Sequence, residues 1–149
     1  MSATIFEAGP QLDESAIRAL EDELGLVLPP AYRTFLLQNN GGYADPNVFE
    51  REDNRRTGRQ RALVQDFFTI DEVRKYRGWH RGRVPENLLA VGRDPGGNML
   101  LVSVGGPDVG RVYFWDHDRE TTPPTYANVY SVADDFSRFL ASLHDPDAP

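Results

Sequence analysis

Between Leu88 and Trp115 the chain alternates apolar runs with glycine-rich breaks, and this pattern leaves few folds open. Leu88-Leu89-Ala90-Val91-Gly92 is almost wholly apolar and is followed by the break Asp94-Pro95-Gly96-Gly97. The run Asn98 to Val104 comes next, then Gly105-Gly106-Pro107-Asp108-Val109-Gly110, then Arg111-Val112-Tyr113-Phe114-Trp115. Branched and aromatic residues favour extended backbone, whereas Gly, Pro and Asp supply the positive or fixed φ that a chain reversal needs. Three such strands joined by turns make an antiparallel meander over residues 88–115.

Helical segments flank it. Ala16, Ile17, Leu20 and Leu24 recur at helical spacing after Asp13, a suitable N-cap, and Gly25 stops the run, which predicts a helix over about 13–24. Pro29-Pro30 breaks the chain, and a second helix is expected over 31–38 with Tyr32, Phe35 and Leu36 inward. Asn39-Asn40-Gly41-Gly42 ends it, because both residue types tolerate left-handed backbone. A strand over Leu63–Ile70 and a short helix from Asp71 to about Tyr76 come next. Ser131 with Asp134 resembles a capping box, so a last helix is expected over 131–143, with Val132, Phe136, Phe139, Leu140 and Leu143 closing one face of the sheet. From about Asp145 the tail should fray. The fold class is therefore α+β, one domain over 1–149 with a predominantly antiparallel sheet packed by helices.

Composition narrows function. With 149 residues, 40% of them hydrophobic, the chain can bury one real core. It has no cysteine, so disulfides, thiolate metal sites and cysteine nucleophiles are excluded. Residues 1–12 have no basic start and no long apolar run, and no stretch approaches a membrane span, so a cytoplasmic protein without membrane contact is the expectation. The net charge of −7 is unevenly spread: residues 1–50 and 84–149 are acidic, and residues 51–83 carry nine Arg and one Lys against five acids. An acidic body opposes direct nucleic-acid binding and favours encounter with a basic partner. The Arg-rich stretch 51–61 lacks interleaved aromatics and reads as a solvated loop.

Candidate chemistry is sparse. Asp116, His117, Asp118 and Glu120 could serve a divalent metal or a small metal-dependent hydrolase, but alternation along an extended strand points His117 away from both aspartates unless the backbone turns. His80 and His144 have no nucleophile beside them in sequence, and the serines show no nucleophile elbow. Gly92 to Gly97 precedes a strand, not the helix N-terminus that would cradle phosphate. No enzyme, cofactor or metal is expected. On strand 111–115, Tyr113 and Trp115 share a face opposite Val112 and Phe114, and one set should point outward. Tyr and Trp are enriched at interface hot spots, so Trp115 is either a core plug or an anchor. With the acids of the meander turns, the candidate partner-binding set is Asp94, Asp108, Tyr113, Trp115, Asp116, Asp118 and Glu120.

One family resemblance runs from about Ile17 to Leu143. Leu20, Glu21, Leu24, Leu28, Pro29, Tyr32, Phe35, Leu36, Asn40, Gly41 and Gly42 carry it in front. Gly97, Asn98, Gly110, Val112, Trp115, Asp116, Phe136 and Phe139 carry it behind. In these the chain resembles the SUKH superfamily, which includes bacterial immunity proteins and a fungal regulator of cell-wall synthesis. The resemblance implies a non-enzymatic binding module: an immunity protein that neutralises a cognate, basic toxin domain, or alternatively a regulatory or scaffolding module. The family's partner contacts vary and transfer to no residue here, and the resemblance leaves the oligomeric state open.

Overall fold

The computed structural model describes residues 3–52 and 58–147. Among them the chain runs β1 (Thr4–Phe6), α1 (Glu14–Leu24), α2 (Pro30–Gln38), β2 (Tyr43–Asp45), β3 (Val48–Glu52), β4 (Arg59–Leu63) and β5 (Asp66–Phe67). It continues through α3 (Ile70–Trp79), β6 (Leu88–Arg93), β7 (Met99–Ser103), β8 (Val112–Trp115), β9 (Val129–Ala133) and α4 (Phe136–Ser142). Strands β5 to β9 pair antiparallel in chain order as one five-stranded sheet, so the expected meander is its centre. Two short antiparallel pairs, β1 with β2 and β3 with β4, lie outside that sheet. The result is an α+β fold built on antiparallel strands.

Local signals placed the first helices correctly. The Asp13 carboxylate accepts the Ala16 N–H at 2.9 Å, and Gly25 closes α1 at φ 67°. The Glu21 carboxylate then accepts the Leu28 N–H at 2.7 Å, which fixes the connection to α2. Asn40, buried, ties three segments together: its side chain donates to the Pro10 carbonyl at 3.0 Å and accepts the Ile70 N–H at 2.8 Å. Gly41, at φ 73°, leaves no room for a side chain, because a Cβ there would stand 2.7 Å from the Thr69 nitrogen.

Several boundaries differ from expectation. The strand expected over 63–70 divides into the end of β4 and the two-residue β5, because Thr69 and Glu72 form a reciprocal capping box that starts α3 at Ile70. That helix runs on to Trp79, past the expected end near Tyr76. The last helix begins at Phe136, not 131: Ser131 lies within β9, and the cap is Asp135, whose carboxylate accepts the Arg138 N–H at 2.8 Å. Over so short an apolar stretch the two periodicities coincide, and pairing with β8 decides for the strand. The Arg-rich stretch is in part a hairpin: Arg51 and Glu52 end β3, and Arg59 to Arg61 open β4. The Arg51 guanidinium lies 4.8 Å over the Phe114 ring and 4.5 Å over that of Tyr130. Residues 53–57, with Arg55 and Arg56, fall outside the described residues. Toward the tail, His144 exchanges two backbone hydrogen bonds with Val48, and Arg61 donates to the Pro146 carbonyl at 2.8 Å.

The sheet is covered on both faces, contrary to the expectation of one outward set on 111–115. All of β6 from Leu88 to Gly92, all of β7 and all of β8 are buried. Phe67 packs against Phe35, Phe136 and Phe139, and Phe49 bridges Phe139 to Phe114, forming one core with α2, α4 and β3. Phe68, next in sequence, points the other way and stacks on Tyr76 of α3 at 4.5 Å. Trp115 is on that second side, edge to face with His80 at 5.4 Å. A strand buried on both faces reads as a continuous apolar run.

Candidate functional site

The two meander turns stand at opposite ends of the β7/β8 pair, since Met99 faces Trp115 and Val102 faces Val112 in register. Apart from Glu120, the candidate acids therefore form two groups, not one surface. At the first end, the Asp94 carboxylate accepts from Gly96 N at 2.9 Å, Asn98 N at 2.8 Å and Asn98 Nδ2 at 3.0 Å. A carboxylate can only accept, which orients the Asn98 amide with its oxygen towards His117. That oxygen receives the His117 backbone N–H at 3.0 Å and ring Nδ1 at 2.5 Å. In the neutral ring Nε2 is left as an acceptor, 3.4 Å from the exposed Asp118 carboxylate.

Here the backbone does turn. Asp116 caps a 3-10 turn over His117–Arg119 by accepting the Asp118 N–H at 3.0 Å, and it pairs with Arg119 Nε at 3.3 Å. The turn brings ligand atoms of Asp116, His117 and Asp118 within 4.8 Å of one another, which is the condition under which His117 is expected to join the aspartates. These three could contact a divalent cation, with Asn98 orienting the imidazole, but they are one ligand short of a closed four-coordinate site.

At the other end Asp108 gathers hydroxyls. It accepts from Ser103 Oγ, Tyr113 OH and Tyr126 OH, each at 2.7 Å. Burial pushes its carboxyl up, but the hydrogen bonds from Tyr113, Ser103 and Tyr126 outweigh that and hold it below the usual range. Burial and the neighbouring Asp108 push the Tyr113 phenol well above its ordinary value. Glu120 belongs to neither group: its carboxylate pairs with Arg83 through Nη2 at 2.5 Å and Nε at 3.2 Å, and that hydrogen bonding keeps it below the ordinary value.

Trp115, at 1% exposure, is among the largest fully buried side chains. It is the core plug, not an exposed anchor, because the loop after α3 covers its ring with His80 and Arg83. Tyr113 is also buried and uses its hydroxyl inside the Asp108 cluster. Asp118 and Glu120 are the exposed members of the candidate set.

What the sequence reading passed over is a cleft of about 600 Å³ beside α3, bounded by the end of α1, the turn after α3, β6 and Pro124. His80 lines it, at 4% exposure, and its Nδ1 has no well-formed hydrogen bond among the described residues. Burial first, and the Arg83 cation second, push the imidazole down to about 4, against smaller opposing effects of Glu120 and the Tyr76 backbone carbonyl. The signal available in the sequence was spacing: Tyr76 and His80 are one helical turn apart, and their rings stack at 5.8 Å.

No helix among the described residues is long and apolar enough to cross a membrane. No curated protein matches the chain at a significant level. The cap and turn residues Glu21, Asn40, Gly41 and Asn98 nevertheless do in the structure the work that made them diagnostic, and the model of the SMI1 / KNR4 family (SUKH-1) matches residues 11–142. The chain belongs to the SMI1 / KNR4 family (SUKH-1).

Proposed function

We propose that the chain is an immunity protein that binds a cognate bacterial toxin domain and neutralises it by occlusion, without catalysis. The carrying observation is membership of a family that covers toxin-immunity proteins as well as the fungal SMI1/KNR4 regulator. The charge of −7 supports a basic toxin as partner, met in the cytoplasm of the producing cell. Encounter would be steered by the acids at the Asp116–Glu120 end of the sheet, where Asp118 and Glu120 reach solvent.

The experiment takes a toxin-like domain encoded by a neighbouring gene as the probe and measures its capture, with association rate against ionic strength. Asp118→Asn with Glu120→Gln should slow association several-fold at low salt and hardly at all at high salt, since rim charges are screened beyond a Debye length of about 8–10 Å. Asp94, Asp108 and Asp116 are left intact because they hold their own turns. No complex with that toxin, and no protection of cells expressing it, defeats the proposal. Turnover of nucleic acid, phosphoester or peptide that His117→Ala abolishes would also defeat it.

A further inference from the structure

The cleft beside α3 has the makings of a second recognition site, and none of the seven residues singled out in the sequence lines it. Its floor is apolar, formed by Leu24, Val84, Leu88 and Ala90 among others. Arg77, in the last turn of α3, and Arg81, in the turn that follows, both line it. Arg77 donates Nη1 to the Leu88 carbonyl at 3.1 Å and feels Glu86 only at longer range, and among the described residues neither it nor the exposed Arg81 side chain makes an ion pair. Of the two acids lining the cleft, Glu23 pairs with Arg74, which also holds Asp71, and Glu86 makes no ion pair with either guanidinium among the described residues. Both guanidiniums of the cleft are thus without an ion pair among the described residues. His80 lines the same cleft, and its buried Nδ1 has no well-formed hydrogen bond among the described residues, an arrangement that costs free energy.

A volume of about 600 Å³ far exceeds one carboxylate and falls in the range of sites that enclose extended ligands. At its border Tyr76 meets Trp79 edge to face at 5.3 Å, and Trp79 is 60% exposed. An exposed tryptophan beside arginines is the composition of a protein-binding hot spot. We propose that this cleft binds a short segment of a partner protein that places one acidic side chain between Arg77, Arg81 and His80, with apolar neighbours on the floor. The site does not depend on the immunity reading.

The test titrates the whole chain with the peptide acetyl-Ala-Leu-Glu-Leu-Ala-amide, its Gln counterpart and inorganic phosphate, observing the His80 ring by nitrogen-15 NMR. The Glu peptide should shift the His80 signals saturably and bind about tenfold more tightly than the Gln peptide, as a charge-assisted hydrogen bond predicts. Arg81→Gln should abolish that preference and leave the melting temperature unchanged, because Arg81 is exposed and unpaired among the described residues. No saturable shift, or equal affinity for the two peptides, overturns the proposal. Phosphate binding as tightly as the Glu peptide overturns it too, by making the cleft a free-anion site. Toxin capture is measured separately, so this proposal can fail while that one stands.

Discussion

Replacing Trp115 by Ala removes the surface on which His80 and Arg83 pack, at 5.4 and 5.6 Å, and should cost about 3–5 kcal/mol of stability. Trp115→Phe should cost much less, because the indole N–H has no partner among the described residues to lose. Denaturant midpoints of the two variants check this, and an unchanged midpoint for Trp115→Ala would contradict the burial. Two residues should shape acid stability in separate windows. His80 is held neutral, pushed down to about 4 in the fold against about 6.5 in an unfolded chain. The unfolded state binds the extra proton between those values, so this contribution is complete above about 6.5 and is lost as pH falls through about 4. His80→Phe should flatten that limb, by on the order of 2–3 kcal/mol, in urea titrations from pH 7.5 down to 4. Asp108 has a lowered folded value, so its contribution is present above the ordinary carboxylate range and disappears as pH falls through the folded one. Asp108→Asn should therefore weaken the protein at neutral pH, by about 1–3 kcal/mol, and make it less sensitive to pH below 4. Neither residue's role could be read from the sequence, because burial and hydroxyl donors come from distant segments: Tyr126 for Asp108, Trp115 for His80.

At the scale of elements, what was legible depended on whether the deciding contact was local. Helix α1 was readable because its cap, its apolar spacing and its terminating glycine lie within thirteen residues of one another. The start of α4 was not, because Ser131 and Asp134 imitate a cap while the cross-strand partners in β8 hold Val129 to Ala133 extended. Capping separates the two possibilities: Asp135→Ala should cost about 1 kcal/mol and Ser131→Ala less than about 0.5, by thermal or denaturant unfolding. A larger loss from Ser131→Ala would put the helix start back at 131. The Arg-rich hairpin was illegible for a related reason, since its Arg51 lies over the rings of Phe114 and Tyr130, more than fifty residues away.

For the whole molecule the governing fact is a sheet with a core on each side. Amide hydrogen exchange should therefore be slowest in β6, β7 and β8, which are interior to the sheet and buried but for Arg93, and faster in the two-stranded pairs β1/β2 and β3/β4. Mass spectrometry of exchanged peptides would show it, and uniform protection across all strands would refute the layered arrangement. By itself the sequence determined the fold class, the meander and its turns, the first two helices and the family, because glycines, caps and apolar periods act within a few residues or as a linear pattern. Tertiary structure alone decided that both sheet faces are covered, that the candidate acids separate to opposite ends of β7/β8, and that a cleft opens beside His80. Each of those depends on the direction in which one element packs against another, and side chains distant in sequence set that direction.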